Sequence, residues 1–201
     1  TLVNSKDIAG LARFSSYRFN NDETKLILGT NFEKIYRRSF KGTFYAYDIA
    51  SKNVSLIGEN IQEPVFSPDN KKVAYAKDNN IFIKNLGTNK VTQITNDGKK
   101  NQVINGITDW VYEEEFGFVR AFEWSNDSQN IAFLRFNESQ VPTFSMDMVG
   151  NQNYPKQQVF KYPKAGEKNA MVTLHLYGVS SKSIRQIELG AYEYIPRIKW
   201  S

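Results

Sequence analysis

Four stretches of this chain repeat one pattern, an aromatic strand end, a polar turn and a second apolar strand. They are YRFNNDETKLILGT from Tyr17, VFSPDNKKVAYAKD from Val65, FEWSNDSQNIAFLRF from Phe122 and, at the end of the sequence, RIKWS from Arg197. Turn chemistry explains the middle of each. Ser-Pro-Asp-Asn and Ser-Asn-Asp-Ser supply residues that preset φ or hydrogen-bond their own backbone, which is what a tight antiparallel hairpin needs. Further strand pairs lie between them, Phe44 to Gly58 and Asn80 to Thr95, each with its own polar turn. The pattern predicts an all-β chain of antiparallel hairpins.

Spacing narrows the architecture. Phe19 and Phe66 are 47 residues apart, Phe66 and Trp124 58, and Trp124 and Trp200 76. A repeat of roughly 40 to 50 residues is the period of a four-stranded propeller blade, although meanders and sandwiches share such hairpins. The longer intervals read as insertions. One carries NGITDWVYEEEF, residues 105–116, and the other runs from about Asn137 to Gly166. Insertions in a repeat array form loops and arms on one face or edge, where binding or oligomerisation is usually placed.

Composition agrees and excludes some functions. Eleven Tyr, fourteen Phe and three Trp suit the pleated surfaces of strands. The net charge is +5, yet no basic run exceeds two residues (Arg37-Arg38, Lys71-Lys72, Lys99-Lys100), which argues against a nucleic-acid binder. Cysteine is absent, removing disulfides and thiolate metal sites while leaving the compartment open. No apolar run approaches the ~20 residues of a membrane-spanning helix. The sequence opens without an initiator Met or signal-peptide pattern, and YIPRIKWS ends it as another strand begins, so a piece of a longer polypeptide is expected.

The acidic run Glu113-Glu114-Glu115 is the strongest pointer to a ligand. Adjacent like charges repel, and a fold that keeps them together usually holds something positive. DWVYEEE is too short for a stable isolated helix, but Asp109 or Thr108 can cap its first turn. Helical residues step by about 100°, so Glu114 and Glu115 can share a sector while Glu113 points away. A solvated acidic turn is the alternative. Calcium is a second one, disfavoured because contiguous carboxylates do not wrap an ion as spaced ligands do. No G-x-S-x-G elbow occurs, and the single histidine, His175, lies in a strand pattern as a structural or surface residue, so no catalytic residue is predicted here.

The strings NGITDWVYEEEF, RFNESQVPTFSM and KYPKAGEKNAMVTLHLYGV, with IYRRSFKGTFYAYDI and NNIFIKNL upstream, resemble the β-propeller of the dipeptidyl peptidase IV family, serine exopeptidases that remove X-Pro or X-Ala dipeptides from peptide N-termini. The resemblance implies that residues 1–201 are part of an eight-bladed N-terminal propeller, about blades two to four and the start of five, with the catalytic α/β-hydrolase domain elsewhere in the parent protein. It implies that Glu114 and Glu115 receive the substrate's α-amino group and that Arg37 points at its backbone carbonyl; a one-residue slip would put Arg38 there instead. After the acidic run the chain is one residue shorter than the animal enzymes, so no role is assigned to Phe116 or Phe118. The resemblance further implies peptide substrates with a free N-terminus and proline second, no cofactor or metal, a homodimer formed through the 137–166 arm, and a bacterial, periplasmic or cell-surface setting. From residue types alone, a non-catalytic propeller that binds peptides or proteins is the alternative.

Overall fold

The computed structural model describes residues 3–8, 11, 13–151 and 153–201. Strands β1 (Ser16–Phe19), β2 (Lys25–Lys34), β3 (Phe40–Asp48) and the first part of β4 (Val54–Phe66) form one antiparallel sheet. The rest of β4 pairs with β5 (Lys72–Lys77), followed by β6 (Asn80–Asn85) and β7 (Val91–Gln93), giving a second sheet of four. A third sheet includes β8 (Val103–Asn105) and, after the helix α1 (Trp110–Glu115), β9 (Phe122–Trp124); both pair with β10 (Asn130–Asn137). Inserted next are β11 (Thr143–Met148) and β12 (Lys156–Lys161), which pair with each other. β13 (Met171–Gly178) then returns to β10, with β14 (Ile184–Ile187) outside it. Three consecutive up-and-down antiparallel sheets make a partial β-propeller, and the β11–β12 pair is an arm that interrupts the third blade.

The repeated turns fold alike atom by atom. In each, the first residue's carbonyl accepts from the residue three ahead: Asn20 from Glu23 at 3.2 Å, Ser67 from Asn70 at 2.8 Å and Ser125 from Ser128 at 2.9 Å. The fourth residue has positive φ every time, 57°, 58° and 61°. The first residue's side-chain oxygen also accepts from the amide five residues on, at Lys25, Lys72 and Asn130. Neighbouring turns bond to one another. Asn70 Nδ2 donates to Asp22 Oδ2 at 2.8 Å, and the Asp69 amide to Ser128 Oγ at 2.9 Å, so corresponding corners of the three blades sit together. The fourth copy, RIKWS, carries no strand pairing; Trp200 there donates its indole N–H to the Glu123 carbonyl at 3.0 Å.

Much of the core lies between blades. Ile27, Phe44, Ile57 and Ile61 of the first sheet pack with Phe66, Val73 and Tyr75 of the second, and Ala74, Ile81 and Ile83 pack with Phe122, Trp124, Ile131 and Phe133 of the third. Each fully buried aliphatic or aromatic side chain contributes about 1.5–3 kcal/mol, so these faces hold the blades together. A third apolar cluster, around Tyr112, Leu134, Phe136 and Val172, seats α1 against the third blade.

Candidate functional site

Three elements converge on one region: the tip of the β2–β3 hairpin, α1, and the base of the arm. The hairpin is unusual along its length. A register shift between Thr30 and Glu33, with Asn31 at φ 52°, tucks Phe32 inward against Phe40 and Phe44. Gly42 makes room for it, because a Cβ there would meet the Phe32 ring at 2.8 Å and the Thr30 carbonyl at 3.0 Å. Beyond the last ladder pair, Lys34 with Phe40, residues 35–39 form a turn closed by the Ile35 amide on the Ser39 carbonyl at 2.9 Å. Arg37 sits at its tip.

Helix α1 begins as the acidic segment predicts. Asp109 is the cap, its Oδ1 accepting from the Tyr112 amide at 3.0 Å. Tyr112 drives the helix into the core: it is buried, ringed by Phe116, Phe118 and Phe136, and its hydroxyl accepts from the Ile195 amide at 3.0 Å. Phe116 and Phe118 thus pack against that core as partly buried side chains.

The three glutamates occupy three environments. Glu114 meets Arg37 from the hairpin, the arginine Nε lying 2.8 Å from Oε2 and 3.2 Å from Oε1. Arg37 keeps 72% of its side-chain surface exposed against 15% for Glu114, so the guanidinium reaches in from solvent to a sheltered carboxylate. Its terminal nitrogens make no hydrogen bond among the described residues. Glu115 is exposed and likewise without a partner among the described residues. Glu113 points away from the other two, as helical spacing predicts, and it turns inward. At 1% exposure it is one of the most buried side chains of the chain, and its Oε1 accepts from the amides of Arg38 at 2.6 Å and Ser39 at 2.9 Å. Helical spacing gives the divergence of the three side chains but not what lies beneath the helix.

A second group of acids was not foreseen. Glu138, just after β10, is buried and lines a cavity of about 560 Å³ together with Tyr36, Ser39, Gln62 and Thr108, rimmed by Lys34, Lys41, Lys99 and Lys100. Burial and the nearby Asp109 push the Glu138 carboxyl up to about 7, opposed in part by Lys161 and the Asn101 amide. Burial pushes Asp109 up to about 6. Burial and the surrounding acids push the Tyr36 phenol well above its ordinary value. These residues are more than 25 positions apart in sequence, and nothing in their local patterns pairs them. The arm closes the region through aromatic rings: Phe160 lies 5.8 Å from Tyr36 and 6.4 Å from Trp110, and Tyr162 lies 4.5 Å from Trp110.

His175 lies apart, on β13, stacked 5.3 Å from Phe133 and sharing a 2.8 Å hydrogen bond with Thr173. Among the described residues no three His, Cys, Asp or Glu side chains converge as metal ligands, and no helix is long and apolar enough to cross a membrane.

Residues 20–201 match the family model of the dipeptidyl peptidase IV N-terminal region. A probable dipeptidyl-aminopeptidase B of Talaromyces stipitatus is 38% identical over 77% of this chain and 19% of its own length, and that of Talaromyces marneffei is 33% identical over 93% and 22%. This chain therefore spans about a fifth of those relatives. The crystal structure of Porphyromonas gingivalis dipeptidyl peptidase 4 superposes with a TM-score of 0.88 at 41% identity, over 94% of this chain and 28% of that one. A chain that folds into consecutive propeller blades and matches the N-terminal region of that family from residue 20 onward belongs to the dipeptidyl peptidase IV family.

Proposed function

We propose that residues 1–201 are the substrate-recognising propeller segment of a dipeptidyl peptidase IV-like serine exopeptidase that releases X-Pro or X-Ala dipeptides from peptide N-termini. In this reading Glu114 and Glu115 receive the substrate's α-amino group and Arg37 points at its backbone carbonyl. The observation that carries it is the Arg37–Glu114 pair beside Glu115, which is exposed and has no partner among the described residues. An exposed pair of this kind contributes at most about 1 kcal/mol to stability, so stability is a poor explanation for it. Ligand binding is a better one.

The geometry suits an ammonium group. Its three donors need several acceptor oxygens, and two adjacent carboxylates supply four. Arg37 commits only Nε to Glu114, which leaves the other donors of its planar fork for a carbonyl. Each charge-assisted hydrogen bond contributes roughly 1.5–3 kcal/mol, so two distinguish a free N-terminus from an acylated one by on the order of a thousandfold. Anchoring the amine also sets register, because only the bond two residues along then reaches a nucleophile. The nucleophile and its partners belong to the remainder of the parent enzyme, and this segment alone is inactive in this reading. The arm, whose residue 152 lies outside the described residues, is proposed to join two subunits, and a bacterial periplasmic or surface setting is proposed with it.

In the full-length enzyme, Glu114→Gln and Glu115→Gln are each expected to lower kcat/KM on a free-amine X-Pro substrate by about a hundredfold or more, with an unchanged melting temperature. Near-normal turnover by either variant removes the clamp assignment.

A further inference from the structure

The hairpin offers two adjacent arginines, Arg37 and Arg38, and only one of them meets Glu114. We propose that Glu113 is the positioning residue that selects Arg37, by gripping the backbone of the next two residues and so fixing which side chain of the turn lies over the helix. The proposal rests on the reading of Glu114, Glu115 and Arg37 as a substrate clamp.

The ladder itself does not set the turn's orientation. Pairing between β2 and β3 is already broken by the shift at Thr30/Glu33, and it ends at Lys34 and Phe40, leaving five residues as a tip. Within that tip the Ile35–Ser39 bond and the Tyr36 amide on Ser39 Oγ at 3.2 Å close the turn on itself without tying it to anything else. Three contacts reach outward. Tyr36 leans on Phe160 of the arm, Arg37 reaches Glu114 from solvent, and the Arg38 and Ser39 amides share Glu113 Oε1. The first is an aromatic contact at 5.8 Å that tolerates sliding, and the second is exposed and weak. The third is short, directional and buried. Two consecutive amides converging on one carboxylate oxygen form a local cradle that a shift of one residue would break.

Register follows from adjacency. Glu113 and Glu114 are neighbours on the helix, and Arg37 and Arg38 are neighbours on the turn. Holding residue 38 by its backbone over residue 113 places the side chain of residue 37 over residue 114. It also leaves Arg38 with its side chain exposed and without a carboxylate partner among the described residues. Sliding by one residue would exchange the two arginines. Glu113 acts through the hairpin backbone and touches no substrate in this scheme.

The test is a double-mutant cycle on kcat/KM in the full-length enzyme. Glu113→Ala is expected to lower kcat/KM on a free-amine X-Pro substrate to within about threefold of Arg37→Ala, and to cost nothing further when added to Arg37→Ala. A general loss of folding would instead multiply the two effects and lower the melting temperature in both backgrounds, which overturns the proposal, as does wild-type kcat/KM for Glu113→Ala. If the alanine variant does not fold, Glu113→Gln answers: it keeps size and one acceptor oxygen. About tenfold lower kcat/KM is then expected, chiefly in KM, with faster hydrogen exchange at the Arg38 and Ser39 amides; unchanged kcat/KM overturns the proposal. Wild-type activity for Arg37→Ala and Glu114→Gln would overturn the clamp itself. Loss in those two with none at Glu113 overturns only the positioning role.

Discussion

Asp109 and Glu138 give the region beneath α1 a dependence on pH whose sign is fixed by burial. Both carboxyls titrate higher in the folded chain than in the unfolded one, at about 6 and about 7. Between roughly pH 4 and 7 the folded state therefore binds more protons, and stability falls as pH rises through that window. Below pH 4 both acids are neutral in either state and the penalty is absent. Glu138→Gln mimics the neutral form permanently. It is expected to match the parent near pH 4 and to exceed it at pH 8 by on the order of 2 kcal/mol. Thermal midpoints at the two pH values check this, and a variant no more stable than the parent at pH 8 contradicts it. The same scale shows where sequence reading stops. Glu114 and Arg37 are legible as residue types and meet in the fold, whereas Glu113 and Glu138 take their roles from partners 74 and 29 residues away, at Ser39 and Asp109. No local pattern encodes what a side chain finds when it turns inward.

At the scale of elements, the turns were the most readable part of the chain. Asn20, Ser67 and Ser125 each open a tight turn through their own side chains, so the chemistry that fixes the turn is contained in six consecutive residues. The Asp109 cap is equally local. The arm is legible only as excess length between β10 and β13. What it packs against is set by Phe160 and Tyr162 meeting Trp110 and Tyr36 across the fold. The arm leaves Met146, Met148 and Tyr154 exposed, apolar side chains consistent with the proposed subunit contact. Removing residues 143–161 from the full-length enzyme is expected to halve its mass by light scattering. A deletion variant that remains dimeric would sink the contact.

For the whole molecule, the repeat spacing is enough to suggest blades because each interval between inner strands is one sheet plus whatever has been inserted. How the blades join is not equivalent at the two seams. The first and second sheets share β4, thirteen residues that leave one ladder at Ile61 and enter the next at Gln62, with positive φ at Asn60 and Glu63 on either side of the crossing. The second and third sheets share no strand; the chain passes between them through the loop from β7 to β8. Tension across the first seam is therefore carried by an extended covalent strut about 40 Å long, whereas tension across the second falls on side-chain packing and a few hydrogen bonds. Stretched between attachment points on the first and third sheets, the molecule is expected to part at the second seam first, a sequence of events that single-molecule force traces would reverse if the strut did not matter. The acidic helix stands on the yielding side of that joint and its arginine on the stiff side, so a movement that opens the joint also pulls Arg37 from Glu114.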